Sequence, residues 1–232
     1  TVIHCAALKR VDKIAWDPNE ALLTNVMGSK QVVDAAIDCG IRRLLLISSD
    51  KAVEPTNFYG YTKACMEGYG IAANVYGMPR GTRIAAGRWG NVMDSRGSVL
   101  HAWQAALATG RPLMMTDWQC TRFWWTLRQA VNFTLQCLQE MSGGELFVPK
   151  LQAAPIAEFA AALAPDVDAT KVEVVGLRPG GEKRHEQLIS EEEASRTRDL
   201  GWAYVVTPHV DFWRTEPWGG IPVNPTSFNY SS

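Results

Sequence analysis

The sequence predicts an α/β protein whose parallel sheet is covered by helices on both faces. Three observations predict it. Residues 44–47, Leu-Leu-Leu-Ile, form an unbroken apolar run, the pattern of a strand buried on both sides rather than one with a wet face. Strand-like and helix-like stretches alternate over residues 2–86 in the rhythm of βαβ units. Polar groups follow two of the strands, Ser49-Asp50-Lys51 and Asn91, at the carboxyl ends where open α/β sheets bind ligands.

In chain order, residues 2–5 read as a short strand, followed by Ala6 and Ala7, small enough for close approach to a ligand. Residues 19–39 read as a helix: Leu22, Leu23, Val26, Val33, Ala36 and Ile37 recur by threes and fours, and Gly40 is a natural stop. Arg42-Arg43 turns into the 44–47 strand. A loop over 50–57 leads to a helix over 58–75, whose later turns Gly68 and Gly70 weaken. Residues 82–86 form a strand and 88–97 a polar loop. Beyond it come a helix over 98–109, a short strand at 113–115 and a polar-aromatic stretch over 117–125. Thr126 caps a helix to about 140, and strands are expected at 145–148 and 171–175 with a helix at 156–163 between them. A loop over 177–183 follows, and Ser190 caps an acidic helix start. From 201 onward no regular element is expected; Trp202, Tyr204, Phe212, Trp213 and Trp218 pack against the body. Residues 1–97 are read as the sheet domain and 98–232 mainly as a second lobe interleaved with it.

The 232 residues allow one sizeable core with a small second lobe, and a net charge of -1 gives no reason to expect nucleic acid. The five cysteines form no CxxC and no cluster with the four histidines, so no metal is expected and they read as buried thiols of a reducing compartment. No signal peptide and no apolar run of membrane length is present, which points to a cytoplasmic protein without a membrane partner. The chain starts inside a strand without methionine, as a fragment or internal domain would.

Tyr59 and Lys63, four apart, share a helix face. The cation is expected to bring the phenol below its usual pKa of about 10, making it a base for an alcohol that loses hydride. YxxxK alone is a weak pattern; the SSDK stretch at a strand end just upstream gives it weight. Asp50 and Lys51 put an acid and a base side by side. His4 reads as a core residue. Trp118, Trp124 and Trp125 flank Arg122 and could line a ring pocket. Lys9 and Arg10 lie near the first strand end. Arg96, Arg122 and Arg178, three arginines in loops, suit a diphosphate.

These stretches resemble the extended short-chain dehydrogenase/reductase superfamily and, within it, the inverting UDP-N-acetylglucosamine 4,6-dehydratases. The matching segments are HCAALKRV (4–11), residues 24–63 through SSDKAVEPTNFYGYTK, RWGNVMDSRGSV (88–99), TRFWWTLRQAVNF (121–133), GGELFVPK (143–150) and LRPGGEKRHEQLIS (177–190). The resemblance implies a partial Rossmann-like, doubly wound parallel sheet lacking its first strands, with a small C-terminal substrate-binding lobe. It implies NADP as cofactor, with NAD possible, a UDP-sugar substrate, and a homo-oligomer when full length. By matched position, Tyr59 would take the 4-hydroxyl proton and Lys63 would hold the nicotinamide ribose and depress the Tyr59 pKa. Ser49 would bond O4, Asp50 would protonate the departing 6-hydroxyl, and Lys51 would take the C5 proton. Ala6, Ala7 and Asn25 would serve the cofactor, with Asn25 supporting the active-site backbone. Lys9, Asn91, Arg122, Arg178 and Glu182 would hold the substrate.

The family's opening strand and glycine-rich loop do not match anything here. The chain alone is therefore expected to bind cofactor poorly and to expose apolar surface at 2–5 and 44–47. Asp94, Cys120 and an apparent insertion at Gly181 depart from the family pattern, and the insertion could misplace Arg178 or Glu182. A UDP-sugar 4-epimerase, which would not need Asp50-Lys51, and a non-catalytic fragment are the alternatives.

Overall fold

A computed structural model describes residues 1–95, 97–163, 172–177 and 181–232. The chain opens with strand β1 (Val2–His4) and two short helices, α1 (Val11–Trp16) and α2 (Pro18–Ala21). A π-helical turn (Leu22–Met27) joins α2 to α3 (Gly28–Asp38), so the helix expected over 19–39 has a widened turn within it. Then come β2 (Arg43–Ser49), α4 (Phe58–Ala72), α5 (Asn74–Gly77) and β3 (Arg83–Trp89). The middle of the chain forms β4 (Asn91–Val92), α6 (Val99–Ala108), β5 (Leu113–Met115), β6 (Thr121–Trp125), α7 (Leu127–Glu140) and β7 (Leu146–Pro149). The remainder holds β8 (Gln152–Pro155), α8 (Ile156–Leu163), β9 (Val172–Val174), β10 (Gln187–Ile189), α9 (Glu191–Ala194), β11 (Thr197–Asp199), β12 (Ala203–Val206), β13 (Ile221–Pro222) and β14 (Tyr230–Ser231).

The main sheet has seven strands in the order β1-β2-β3-β7-β12-β11-β13. The joins from β1 to β7 are parallel and the rest antiparallel. Residues beyond 201 are therefore not irregular: β12 and β13 extend this sheet. The sequence Ala-Tyr-Val-Val is rich in β-formers, and Val205 lies opposite Phe147 of the buried strand β7. Smaller sheets join β4, β6 and β8, β5 with β9, and β10 with β14.

The apolar run of β2 behaves as a doubly covered strand should. Leu44 and Leu46 pack with Val33, Ile37 and Met66 of α3 and α4. Leu45 and Ile47 pack with Phe133, Cys137 and Leu138 of α7 on the opposite face. The expectation that 44–47 would be left bare is not met, because both helix layers and the flanking strands β1 and β3 cover it. Of the two segments only the edge strand β1 leaves a large apolar side chain in water, Ile3 at 40% exposed. The α4 helix runs on through Gly68 and Gly70 to Ala72. Thr126 and Ser190 cap α7 and α9 as capping boxes with Gln129 and Glu193. The cysteines divide: Cys120 and Cys137 are buried, whereas Cys5, Cys39 and Cys65 are exposed, so the reading of all five as buried thiols is corrected. Cys39 sits at the open C-terminal cap of α3, beside the Gly40 turn, which explains its exposure.

One buried ion network ties the sheet to the C-terminal segment. Arg88 of β3 donates to both carboxylate oxygens of Glu67 on α4 at 3.1 and 2.9 Å. It also donates to both oxygens of Glu193 on α9 at 2.7 Å and to the Leu188 carbonyl of β10 at 2.8 Å. Among the described residues no helix is long and apolar enough to cross a membrane. Removing the cation would leave two carboxylates in the core. Arg88→Met is expected to lower the unfolding free energy by about 3–5 kcal/mol, read as a fall in urea midpoint. Adding Glu67→Gln to that variant should restore part of the loss.

Candidate active site

The site grows out of the carboxyl end of β2. Ser49 closes the strand and a 3-10 turn (Asp50–Ala52) follows at once. The Ser49 hydroxyl donates to Asp50 Oδ1 at 2.7 Å and accepts from the Lys51 amide at 3.3 Å. The Lys51 ammonium curls back onto its neighbour, donating to Asp50 Oδ1 and Oδ2 at 3.0 and 3.3 Å. Asp50 is 1% exposed and the Lys51 side chain 25%, so a buried carboxylate meets a half-buried ammonium at a strand end. Glu186 Oε1 lies 3.5 Å from the same Lys51 Nζ. Burial alone would lower the Lys51 pKa, but Asp50 and Glu186 outweigh burial and the nearby Arg122, and the pKa is raised.

Tyr59 enters from the first turn of α4, which Asn57 caps by accepting from the Gly60 amide at 2.9 Å. A Cβ on Gly60 would sit 2.3 Å from the Lys51 carbonyl oxygen, so glycine lets the helix start approach the Asp50–Lys51 turn. The Tyr59 phenol is buried, and burial pushes its pKa up; Lys51 and the Ser49 hydroxyl pull it down, and Asp50 adds to the rise. This corrects the expectation in both direction and partner. The cation acting on Tyr59 is Lys51. The Lys63 ammonium is instead bonded to the Ile47 carbonyl at 2.6 Å, with Met66 Sδ at 3.6 Å. Lys63 is 3% exposed, and burial lowers its pKa to about 8, against the pull of Glu67 and Cys5.

Asn25 lies on the π-helical turn and is buried. Its carboxamide accepts from the Leu8 amide at 2.7 Å and donates to the Leu8 carbonyl at 2.9 Å and the Thr62 hydroxyl at 3.0 Å. It thus braces the loop carrying Ala6 and Ala7 against α4. Widened helical turns often mark functional positions, and here the turn delivers this brace. His4 is a core residue as expected, bonded to Ser29 Oγ at 2.9 Å.

The expected substrate residues separate. Lys9 is exposed and lines a cleft of about 450 Å³ with Arg10, Lys13 and Ile14. Asn91 is half-buried in β4, opposite Trp124. Arg122 and Glu182 bond each other at 2.9 Å, and Arg122 also donates to the carbonyls of Thr121 and Arg184 at 2.7 and 2.9 Å. Arg96 and Arg178 lie outside the described residues. The tryptophans do not frame a common pocket. Trp125 is buried edge-on against Trp89, Trp124 stacks on Phe159 at 4.1 Å, and Trp118 is exposed.

The stretch 181–186 folds over the turn after β2. Gly181 has φ +88°, and a Cβ there would meet the Thr56 carbonyl oxygen at 2.2 Å. Its own carbonyl accepts from Thr56 Oγ1 at 2.6 Å and Asn57 Nδ2 at 3.2 Å. Lys183 Nζ donates to the Val53 carbonyl at 2.8 Å. Glu186 falls within the matched stretch 177–190 but carries no signal of its own in the sequence. Among the described residues no group of three or more His, Cys, Asp or Glu is placed to hold a metal.

Fold and site together define the class: an extended short-chain dehydrogenase/reductase. The chain belongs to the polysaccharide biosynthesis protein family, which it matches over residues 1–208. It is 37% identical over 212 residues to UDP-N-acetylglucosamine 4,6-dehydratase (inverting) of Campylobacter jejuni, covering 91% of this chain and 62% of that protein. It is 36% identical over 232 residues to UDP-glucose 4-epimerase of Rickettsia canadensis, covering 99% of this chain and 63% of that protein. The X-ray structure of Pen from Bacillus thuringiensis superposes with a TM-score of 0.89 at 29% identity, over 99% of this chain and 68% of that one. The chain thus spans less than two thirds of the length of these two curated relatives.

Lys63 gives a test of the site's electrostatics. Between about pH 8 and 10.5 the unfolded lysine holds a proton that the folded one has released, so its contribution to stability rises with pH across that window. The stability of the parent relative to Lys63→Met is expected to rise as pH climbs from 8 to 10.5 and to be flat below it, as measured by denaturant midpoints at each pH.

Proposed function

We propose that the polypeptide carrying this chain is a UDP-N-acetylglucosamine 4,6-dehydratase that inverts C5. The observation that carries the reading is the Asp50–Lys51 pair at 3.0 Å, an acid and a base on neighbouring residues beside Tyr59. The Campylobacter jejuni relative named for this reaction supports it.

A nicotinamide cofactor, NADP or alternatively NAD, fits the strand ends. The buried Lys63 ammonium has three donors and, among the described residues, one oxygen acceptor, the Ile47 carbonyl, so donors remain for a hydroxyl-bearing group. Lys63 and Tyr59 would hold that group, with Ala6 and Ala7 leaving room beside it. When bound it supplies the chemistry of hydride removal from C4 and return to C6.

The chain's own residues move the protons. Tyr59, as the phenolate that Lys51 and the Ser49 hydroxyl favour, takes the proton of the 4-hydroxyl while Ser49 bonds O4. The resulting ketone acidifies C5–H. Lys51, as an amine, takes the C5 proton; Asp50, as an acid, gives one to the 6-hydroxyl, which leaves as water. The resting carboxylate–ammonium pair holds as many protons as the acid–amine pair that elimination needs. One proton crossing the 3.0 Å gap converts one into the other. C5 is then protonated by solvent from the opposite face, and the one net proton gained by Tyr59, Lys51 and Asp50 together returns to solvent. Lys9, Asn91 and Arg178 are assigned to the nucleotide diphosphate. The Arg122–Glu182 pair shapes the wall beside Lys51.

The Rickettsia canadensis relative favours a second reading, a UDP-sugar 4-epimerase. It would use Tyr59 and Lys63 and leave Asp50 and Lys51 without a step. The test is the natural polypeptide with UDP-N-acetylglucosamine and NADP+ in deuterated water, followed by NMR. A 4-keto-6-deoxy product with deuterium at an inverted C5 is expected; a product changed only at C4 would overturn the dehydratase. Lys51→Met should reduce deuterium incorporation at C5 by about 10²-fold or more.

A further inference from the structure

The segment folded over the Asp50–Lys51 turn brings in a carboxylate that none of these steps uses. Glu186 is 2% exposed. Its Oε1 faces the Lys51 ammonium at 3.5 Å, and its Oε2 is buried with no partner among the described residues. Its backbone is fixed on both sides of the peptide: the Glu186 amide donates to Ser232 Oγ at 2.8 Å and the Glu186 carbonyl accepts from the Ser232 amide at 2.8 Å. Burying a carboxylate without full compensation is unfavourable by several kcal/mol, and a glutamine would fill the same space. The side chain is thus held rigidly against Lys51 with hydrogen-bonding capacity to spare, which a purely structural residue would not need. The other groups acting on the Lys51 ammonium are Asp50 and Arg122, and Lys51 in turn acts on Tyr59.

We propose that Glu186 is a positioning residue for Lys51, holding its nitrogen in place for the C5 proton as the C5–H bond breaks. The inference rests on the dehydratase reading. In that step the amine nitrogen gains the C5 proton. The electron pair of the C5–H bond becomes the second C5–C6 bond, the C6–O bond breaks, and O6 leaves as water with the proton from Asp50. Lys51 rests as the ammonium and returns to it in this step, so an attraction present throughout holds the nitrogen where it must act rather than lowering the barrier by added charge. Asp50 becomes an anion only as the step proceeds. Glu186 exchanges no proton in the reaction, so its attraction for Lys51 is present from the start. The arrangement parallels the buried carboxylate that orients and stabilises an imidazole base in hydrolytic triads.

The test compares the natural polypeptide with Glu186→Gln and Glu186→Asp, using substrate deuterated at C4 or at C5. For Glu186→Gln we expect kcat to fall by about 10²-fold with KM within about twofold. The primary isotope effect should move onto the step at fault: larger than the parent's with C5-deuterated substrate and closer to unity with C4-deuterated substrate. The rising limb of the kcat–pH profile should shift to lower pH, because Lys51 loses a neighbour that favours its ammonium. Glu186→Asp keeps the charge at shorter reach and should show the same changes at smaller size. It also serves as the test if Glu186→Gln does not fold. A parent that places deuterium at C5 while the variants keep its rate or its isotope pattern overturns the role of Glu186 alone. A parent that inverts only C4 overturns the dehydratase reading and this inference with it.

Discussion

The site stands on a single guanidinium. Arg88 has five N–H donors in one plane, and all five are used: two on Glu67, two on Glu193 and one on the Leu188 carbonyl. Those partners belong to α4, α9 and β10. The first carries Tyr59 and Lys63, and the last begins one residue after Glu186. A lysine at this position could satisfy three acceptors at most and could not fix the plane. Buried ion pairs add little net stability over an apolar core, since desolvation offsets the attraction. What Arg88 supplies is registry: it holds the helix with the tyrosine and the segment with the glutamate at a set distance from the same strand end.

That registry creates two lysines in opposed environments. Lys63 is surrounded mainly by apolar groups and a carbonyl, and its pKa falls to about 8. Lys51 keeps about a quarter of its side chain in water, and with two carboxylates facing it its pKa rises. Groups whose environments push their pKa values apart divide acid–base work between them. The lysine suited to a fixed, hydroxyl-binding role is the one most easily neutralised, whereas the one assigned as base rests as an ammonium. In the proposed dehydration Lys51 would become an amine by passing its proton to Asp50, which would arm the acid at the same moment. The pair is therefore one proton-transfer unit rather than two independent residues, and changing either member disables both functions.

The parts legible in the sequence are those set by local pattern. The doubly buried run at 44–47, the helix after Asn57, and the capping boxes at Thr126 and Ser190 all rest on residues within a few positions of one another. The parts that escaped depend on distant partners. Arg88 and Glu193 are 105 positions apart, and nothing in either neighbourhood announces the other. Arg122 and Glu182, read as two substrate contacts, satisfy each other across 60 positions. The π-helical turn preserves the apolar spacing on either side, so periodicity passes over it, although it is the turn that aims Asn25. Tyr59 was read from its i+4 neighbour, but helix spacing places two residues on a face without deciding where a long side chain ends. Lys63 reaches the strand behind it, and the adjacent turn supplies the cation instead.

Gly181 shows how a feature that looks like a fault in a sequence can be a fastening in the fold. As an extra residue in a polar loop, it could be expected to push Arg178 or Glu182 out of place. Its left-handed backbone and missing Cβ let the chain lie against the Thr56 carbonyl, closer than any side chain would allow. Its carbonyl then takes the Thr56 hydroxyl and the Asn57 amide, and Asn57 is also the cap of the helix that presents Tyr59. Two residues on, Lys183 holds the Val53 carbonyl, and three residues after that Glu186 faces Lys51. Fastening the segment and placing the glutamate are therefore the same event. A change that loosened Gly181 would act on Lys51 without touching it, by releasing the carboxylate that faces it.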